Sequence, residues 1–267
     1  MPPIASRELV LPTGTLHLVL RLEDVPLRLF DDAADPRGRT IGTAIVGGAR
    51  ARAYVRDVSR PAASVGAQLE PGAAGLLLGV PAGVLAGQHV SLDALWGAAA
   101  RELREQVAEA RSEGARLDRF EALLAARTDP RHAMHPAIAH AVARFRRTSD
   151  VGAVVEETGW SHRRFIEVFR DAVGLAPKLY CRVLRLQRAL RLAAAEPGTP
   201  WAELALAAGY SDQPHLNRDF AELAGMSPGT YRAHAPASPS HVPLAVKSVQ
   251  DAGGLPTQIE RRTLHGA

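Results

Sequence analysis

Residues 159–182, GWSHRRFIEVFRDAVGLAPKLYCR, and 209–232, GYSDQPHLNRDFAELAGMSPGTYR, are two copies of one pattern, and an internal repeat constrains a fold more tightly than composition does. Gly159, Trp160 and Ser161 match Gly209, Tyr210 and Ser211 at an offset of 50. After one extra residue in the second copy, Phe165, Phe169, Gly174, Pro177 and Tyr180 match Leu216, Phe220, Gly225, Pro228 and Tyr231 at an offset of 51. Each copy spells helix, tight turn, helix. Apolar residues at helical spacing (Val151, Val154 and Val155; Trp201, Leu204, Ala205 and Ala208) run into a glycine, which tolerates the left-handed conformation that closes a helix. The serine after it stands where an N-cap oxygen would accept the first free amides of a second helix. That helix ends near another glycine, and Pro177 and Pro228 then fall in the first turn of the next helix, where a missing N–H is tolerated.

The outward faces separate a structural pair of helices from a recognition surface. At about 100° per residue, Phe165, Val168 and Phe169 cluster on one side of the first such helix and leave Arg163, Ile166, Glu167 and Arg170 opposite. In the second copy Leu216 and Phe220 point inward, while Pro214, Asn217, Arg218 and, more laterally, Gln213 face away. Asn, Gln and Arg are the side chains that pair with adenine and guanine edges in a major groove. Between the copies, residues 177–195 contain no internal Gly or Pro and carry Leu179, Val183, Leu186 and Leu190 at helical spacing. Such a rod is about 30 Å long, close to the ~34 Å between successive major-groove faces of B-DNA. Arg182, Arg185, Arg188 and Arg191 stud it as solvent ions or phosphate contacts.

The paired units, the Arg-rich linker helix and the closing GMSPGTYR resemble the AraC/XylS-type transcription regulators over about 100 residues. The resemblance implies that the second helix of each unit, Ser161 to Arg170 and Asp212 to Phe220, enters successive major grooves of double-stranded DNA. The base-reading candidates it implies are Arg163, Ile166, Glu167, Gln213, Pro214, Asn217 and Arg218, with Ser161, His162, Arg164, Arg170, Arg182, Arg185, Ser211 and His215 toward the DNA backbone. Ile166 and Glu167 stand where polar or basic readers are frequent. They could read a thymine methyl and a cytosine amino group; alternatively Glu167 only blocks phosphate or supports a neighbouring Arg. Pro214 falls in the first turn of its helix and removes one polar reader.

Residues 1–90 read as a β-rich domain. Thr15–Leu22 alternates Leu16, Leu18, Leu20 and Leu22 with His17, Val19 and Arg21, and β-prone runs follow at 41–46, 53–58, 64–70 and 75–80. A small barrel or sandwich is expected. From SLDALW the pattern turns helical through 91–127, with a second helix near Leu117 to Arg127, then a linker at 128–135 and the DNA-binding part at 136–235. The order LPTGTLHLVL, QLEPGAAGLLLGVPAG, SLDALWG resembles the cupin-like N-terminal domain of one branch of these regulators, so the implied fold is α+β. The chain begins near LPTG, which leaves a first strand or helix of that domain missing or the start misassigned. Residues 236–267 are rich in Pro, Ser and Gly and read as a flexible tail, unless HVPLAVKSVQD packs back as a strand.

Little else in the chain suggests chemistry. His17 and His89 stand singly and far apart, where a metal-binding cupin needs converging histidines and a carboxylate, and they read as structural or exposed. His132 and His135 in the linker would chelate a metal only if ordered. Cys181 is the one cysteine and reads as a small helix residue. No metal, cofactor, nucleophile or phosphate loop is expected, and therefore no enzyme. The net charge of +4 is modest, but only Lys178 and Lys247 are lysines, so nearly all of the positive charge is guanidinium, suited to phosphate and guanine. Apolar stretches fall short of the ~20 residues of a membrane span, and with a lone cysteine the expected location is the cytoplasm, with no membrane partner. Beyond DNA, the class has a small-molecule effector, a homodimer partner or RNA polymerase as its other contacts. A DNA-binding protein without an effector and a cupin-type enzyme with an accessory DNA-binding domain remain as alternatives.

Overall fold

The computed structural model describes residues 6–234 and 236–244 and the backbone of 262–264. Seven strands open it, β1 (Arg7–Val10), β2 (Leu16–Arg21), β3 (Leu27–Phe30), β4 (Arg39–Gly42), β5 (Ala44–Gly47), β6 (Tyr54–Asp57) and β7 (Ser64–Leu69). After α1 (Ala82–Leu85), β8 (His89–Ser91) and α2 (Asp93–Trp96), two longer helices follow, α3 (Ala98–Ala108) and α4 (Glu113–Ala125). The C-terminal half is helical: α5 (Pro136–Phe145), α6 (Val151–Thr158), α7 (His162–Val173), α8 (Pro177–Ala195), α9 (Trp201–Ala208), α10 (Gln213–Asp219) and α11 (Pro228–Ala233). The chain then returns to the sheets with β9 (His241–Leu244) and β10 (Arg262–Leu264).

The strands make two sheets, ordered β4-β3-β6-β1-β9 and β10-β7-β2-β5-β8. The alternation read from Thr15–Leu22 is the burial pattern of β2, whose Leu16, Leu18 and Leu20 are fully buried. They share a core with Leu103 and Val107 of α3 and Phe120 and Leu124 of α4, which cover that sheet. A closed barrel is not formed: β4 approaches β8, but no ladder joins the two sheets among the described residues. Three further expectations need correction. Residues 75–80 are not a strand, because Ala74–Leu78 is a π-helical turn closed by Gly79 at φ 71°. The run AGLLL lacks β-branched residues, and a short apolar run does not distinguish a buried helix from a strand. Strand β1 precedes LPTG, so the segment ahead of that motif does carry a strand. The tail is not uniformly free, since β9 pairs antiparallel with β1 in register Glu8↔Pro243. The pairing covers an otherwise open sheet edge, which an isolated composition cannot reveal. Residues 245–251 of the HVPLAVKSVQD stretch and Ala235 lie outside the described residues.

The sheets and the helical half share one core, from Leu18 through Ile138, Phe145 and Phe169 to Leu186 and Phe220. Backbone bonds cross the boundary: Gly72 N–H donates to the Ala172 carbonyl (3.0 Å) and Ala53 N–H to that of Leu223 (2.9 Å). Gly174, at φ 87°, leaves room for Ala82 of α1 to close against the end of α7.

His17 and His89, distant in sequence, meet in space because β2 and β8 flank β5, with Gly47 between them. A Cβ on Gly47 would overlap the His17 ring. The two imidazoles lie 5.2 Å apart, and His89 stands edge-on to Tyr54 at 4.5 Å. Burial, with His17 and Arg50 beside it, pushes the His89 imidazole down to about 2. The folded protein therefore holds His89 neutral, while the unfolded chain takes up a proton below about pH 6.5. Its contribution to stability is present above that pH and is lost as pH falls. Between pH 7 and 5 the loss is about 2 kcal/mol. Urea unfolding at pH 7 and 5 should show this loss in the wild type and a correspondingly smaller one in His89→Gln; equal losses in both would refute the assignment.

Candidate nucleic-acid interface

Helix α6 starts at Asp150, whose Oδ1 accepts from Ala153 N–H at 3.0 Å, and stops at Gly159, φ 67°. Ser161 then caps α7, accepting from Arg164 N–H at 3.4 Å. Phe165, Phe169 and Val173 of α7 are buried, Gly174 closes the helix, and Pro177 opens the nineteen-residue α8. The second copy repeats this through Gly209 at φ 92° and Gly225 at φ 70°. Its cap, however, is Asp212 rather than Ser211, with Oδ1 accepting from His215 N–H at 2.7 Å. The extra residue of the second copy explains the change. The cap lies four residues before the first buried core residue in both helices, Ser161 before Phe165 and Asp212 before Leu216, and Ser211 stands one residue too early. Past Asp219 the helix widens into a π-turn, Phe220–Ala224, which keeps Phe220 in the core.

The base-reading candidates fall on the outward faces. Arg163, Ile166 and Glu167 of α7 and Pro214, Asn217 and Arg218 of α10 are exposed, and Gln213 is half-buried. Ile166, at 42% exposure, is a large apolar side chain left open to solvent. Arg163, Glu167, Gln213, Asn217 and Arg218 make no side-chain hydrogen bond or ion pair with any described residue. Glu167 thus supports no neighbouring Arg here, and Arg218 pairs with neither Asp219 nor Glu222, both of which meet Arg182 instead.

The backbone candidates divide. His162, Arg164 and Arg170 are exposed beside the α7 face, with the Arg164 guanidinium over the Trp160 ring at 4.6 Å. Ser161 is spent on its cap. The Ser211 hydroxyl lies 3.2 Å from His215 Nδ1, and His215 Nε2 lies 3.5 Å from Arg185. Arg182 and Arg185 do not stand out toward solvent as the sequence suggested. Arg182 donates through Nε to Asp219 Oδ1 (2.9 Å) and reaches Glu222, while Arg185 lies 3.7 Å from Asp219 and over the Tyr210 ring. Asp219 is only 2% exposed, so these guanidiniums fasten α10 to α8. Arg188 donates to the Arg146 carbonyl, which leaves Arg191 as the only one of the four rod arginines without a described partner. The sequence held no signal for this, because Arg182 and Asp219 are 37 residues apart.

The remaining singled-out residues are occupied. His135 caps α5 through Nδ1 (3.1 Å from Ala137 N) and packs on Trp160, while His132 lies 3.9 Å from Asp129. Burial pushes the Cys181 thiol up to about 11, so it packs as a neutral group. Among the described residues no set of three or more His, Cys, Asp or Glu is placed to hold a metal, and no helix is long and apolar enough to cross a membrane.

Residues 154–234 match the family model described as a helix-turn-helix domain. Among solved structures, the chain is similar to the C-terminal domain of AraT, a response regulator from Geobacillus stearothermophilus, at 22% identity and a TM-score of 0.35, over 38% of this chain and 86% of that one. It is also similar to ToxT from Vibrio cholerae, at 12% identity and a TM-score of 0.45, over 87% of this chain and 95% of that one. The ToxT structure with unsaturated fatty acid bound, from strain SCE256, matches at 9% identity and a TM-score of 0.45, over 86% and 92%. No curated protein matches the chain.

Proposed function

From a chain whose residues 154–234 are an AraC-type helix-turn-helix domain, we propose a DNA-binding transcription regulator that sets α7 and α10 into successive major grooves, about 28 Å of α8 spacing the two. Its sheet half (residues 1–90, with helices to 127) serves as the effector-responsive or dimer-forming part. The observation that carries the reading is the row of exposed polar side chains on α7 and α10 with no partner among the described residues. Arg163, Asn217 and Arg218 are the types that read guanine and adenine edges, and folding alone gives no reason to leave them uncommitted on two matched helices. Exposed Ile166 suits a thymine methyl. His162, Arg164 and Arg170 flank the first face as phosphate contacts. In this reading Arg182 and Arg185 position α10 and leave the phosphates to the exposed cations.

A selected site and a scrambled duplex test the reading together. Binding to both should weaken steeply with salt, because phosphate contacts release counterions. Arg218→Ala should cost about 1 to 3 kcal/mol on the selected site and much less on the scrambled one. Equal losses on the two duplexes would exclude base reading by Arg218, and affinity indifferent to salt would remove the DNA-binding reading altogether.

A further inference from the structure

A cleft of 240 Å³ lies where the sheet half, α8 and the returning C-terminal segment meet. Its sheet-side wall is hydroxyl and amide: Thr13 and Thr15 Oγ1 atoms lie 2.9 Å apart, and Gln68 Nε2 donates to Thr15 Oγ1 at 2.7 Å, with Gln68 Oε1 left over. The opposite wall is α8. Gln187 there donates to the Pro12 carbonyl (2.7 Å) and accepts from Ser240 Oγ (3.2 Å), so it ties all three walls together. Leu184 and the Tyr180 ring are the apolar part of the lining. The charges do not cancel. Glu70 is matched by Arg146 at 2.5 Å, which leaves Arg191, exposed on the rim with no described partner, as an unbalanced cation.

We propose that this cleft binds a small polyhydroxylated anion, a sugar acid or a sugar phosphate, as the effector of the regulator. The inference rests on the effector-responsive reading above and gives it a place and a ligand class. The Arg191 guanidinium supplies a forked donor for a carboxylate or phosphate. Thr13, Thr15 and Gln68 offer the mixed donors and acceptors that successive hydroxyls need. The lining is too polar for a lipid chain, and the volume falls below the ~300 Å³ where drug-sized pockets begin, which fits one sugar unit. Because Arg191 rides on the helix joining the two recognition units while the threonines lie in the loop from β1 to β2 of the sheet half, a ligand spanning them favours the arrangement in which α8 is seated on the sheet half. Differential affinity for that arrangement is what lets an effector shift a regulator's conformational balance.

The test uses the full chain, with D-gluconate and D-glucose 6-phosphate as the two anion probes, and D-glucose and inorganic phosphate as probes carrying only hydroxyls or only charge. Thermal shift and calorimetric titration should show one or both sugar anions binding. Neither glucose nor phosphate alone should match them. Arg191→Ala, at an exposed position that leaves the unliganded melting temperature unchanged, should weaken binding about tenfold or more. Thr15→Val should weaken it less. Binding of neither sugar anion, binding unchanged in Arg191→Ala, or phosphate alone binding as well as the sugar anions (an adventitious ion only) would each overturn the proposal. The same preparations are assayed on the selected duplex. Normal DNA binding without anion binding defeats the cleft alone, and Arg191-dependent anion binding without DNA binding defeats the regulator reading alone.

Discussion

Asp219→Ala is expected to cost about 3 kcal/mol of stability and to abolish specific DNA binding while leaving every base-reading candidate in place. Asp219 is buried and sits between two guanidiniums, accepting from Arg182 and lying 3.7 Å from Arg185. Removing one member of a buried ion pair leaves its partner's charge uncompensated, which costs about 3 to 5 kcal/mol. The lower end applies here because Arg182 keeps Glu222 and remains partly open to solvent, with 27% of its side chain exposed. Arg185 has no second carboxylate among the described residues and only 17% of its side chain exposed, so it bears most of the penalty. The functional consequence follows from geometry: α10 has only seven residues and depends on α8 to hold its direction. Urea denaturation and binding to the selected duplex measure the two effects, with Asp219→Asn expected to retain part of each. A stability loss under about 1 kcal/mol, or undiminished specificity, would mean that Phe220 and Leu216 alone orient the helix.

Phe169→Ala should be at least as severe, at about 3 to 5 kcal/mol. Its ring is fully buried and meets Phe145 (5.5 Å), Phe165 (5.6 Å) and Tyr180 (5.6 Å), so one side chain joins α5, α7 and α8. The cavity left by the ring would open in the shared core, beside the α7 turn that carries Arg170 and the backbone contact of Ala172 to Gly72. Against a total stability of about 5 to 15 kcal/mol, such a loss removes a large share of the folded population. Calorimetry should find a much lower melting temperature with correspondingly weaker binding to both duplexes, and Phe169→Leu should recover most of it. A loss under about 2 kcal/mol would show that the aromatic cluster repacks without the ring.

What the sequence determined by itself was much of what depends on neighbours along the chain, the π-helical turn at Ala74–Leu78 excepted. The glycine stops at Gly159 and Gly209, the proline starts at Pro177 and Pro228, the cap at Ser161 and the outward faces of α7 and α10 all follow from helix periodicity and from backbone groups that the first and last turns leave unpaired. Even the shift of the second cap to Asp212 was written in the extra residue, although only the distance from cap to core reveals it. What the tertiary structure alone decided was pairing between distant segments. It turned Arg182 and Arg185 inward onto Asp219, set His17 beside His89 across Gly47, left the two sheets unclosed and brought His241–Leu244 back to β1. A strand's pattern names the face it buries but not the strand it will join, and an arginine's pattern does not name the carboxylate it will meet. Those choices are made by the free energy of the whole core, which no local window contains.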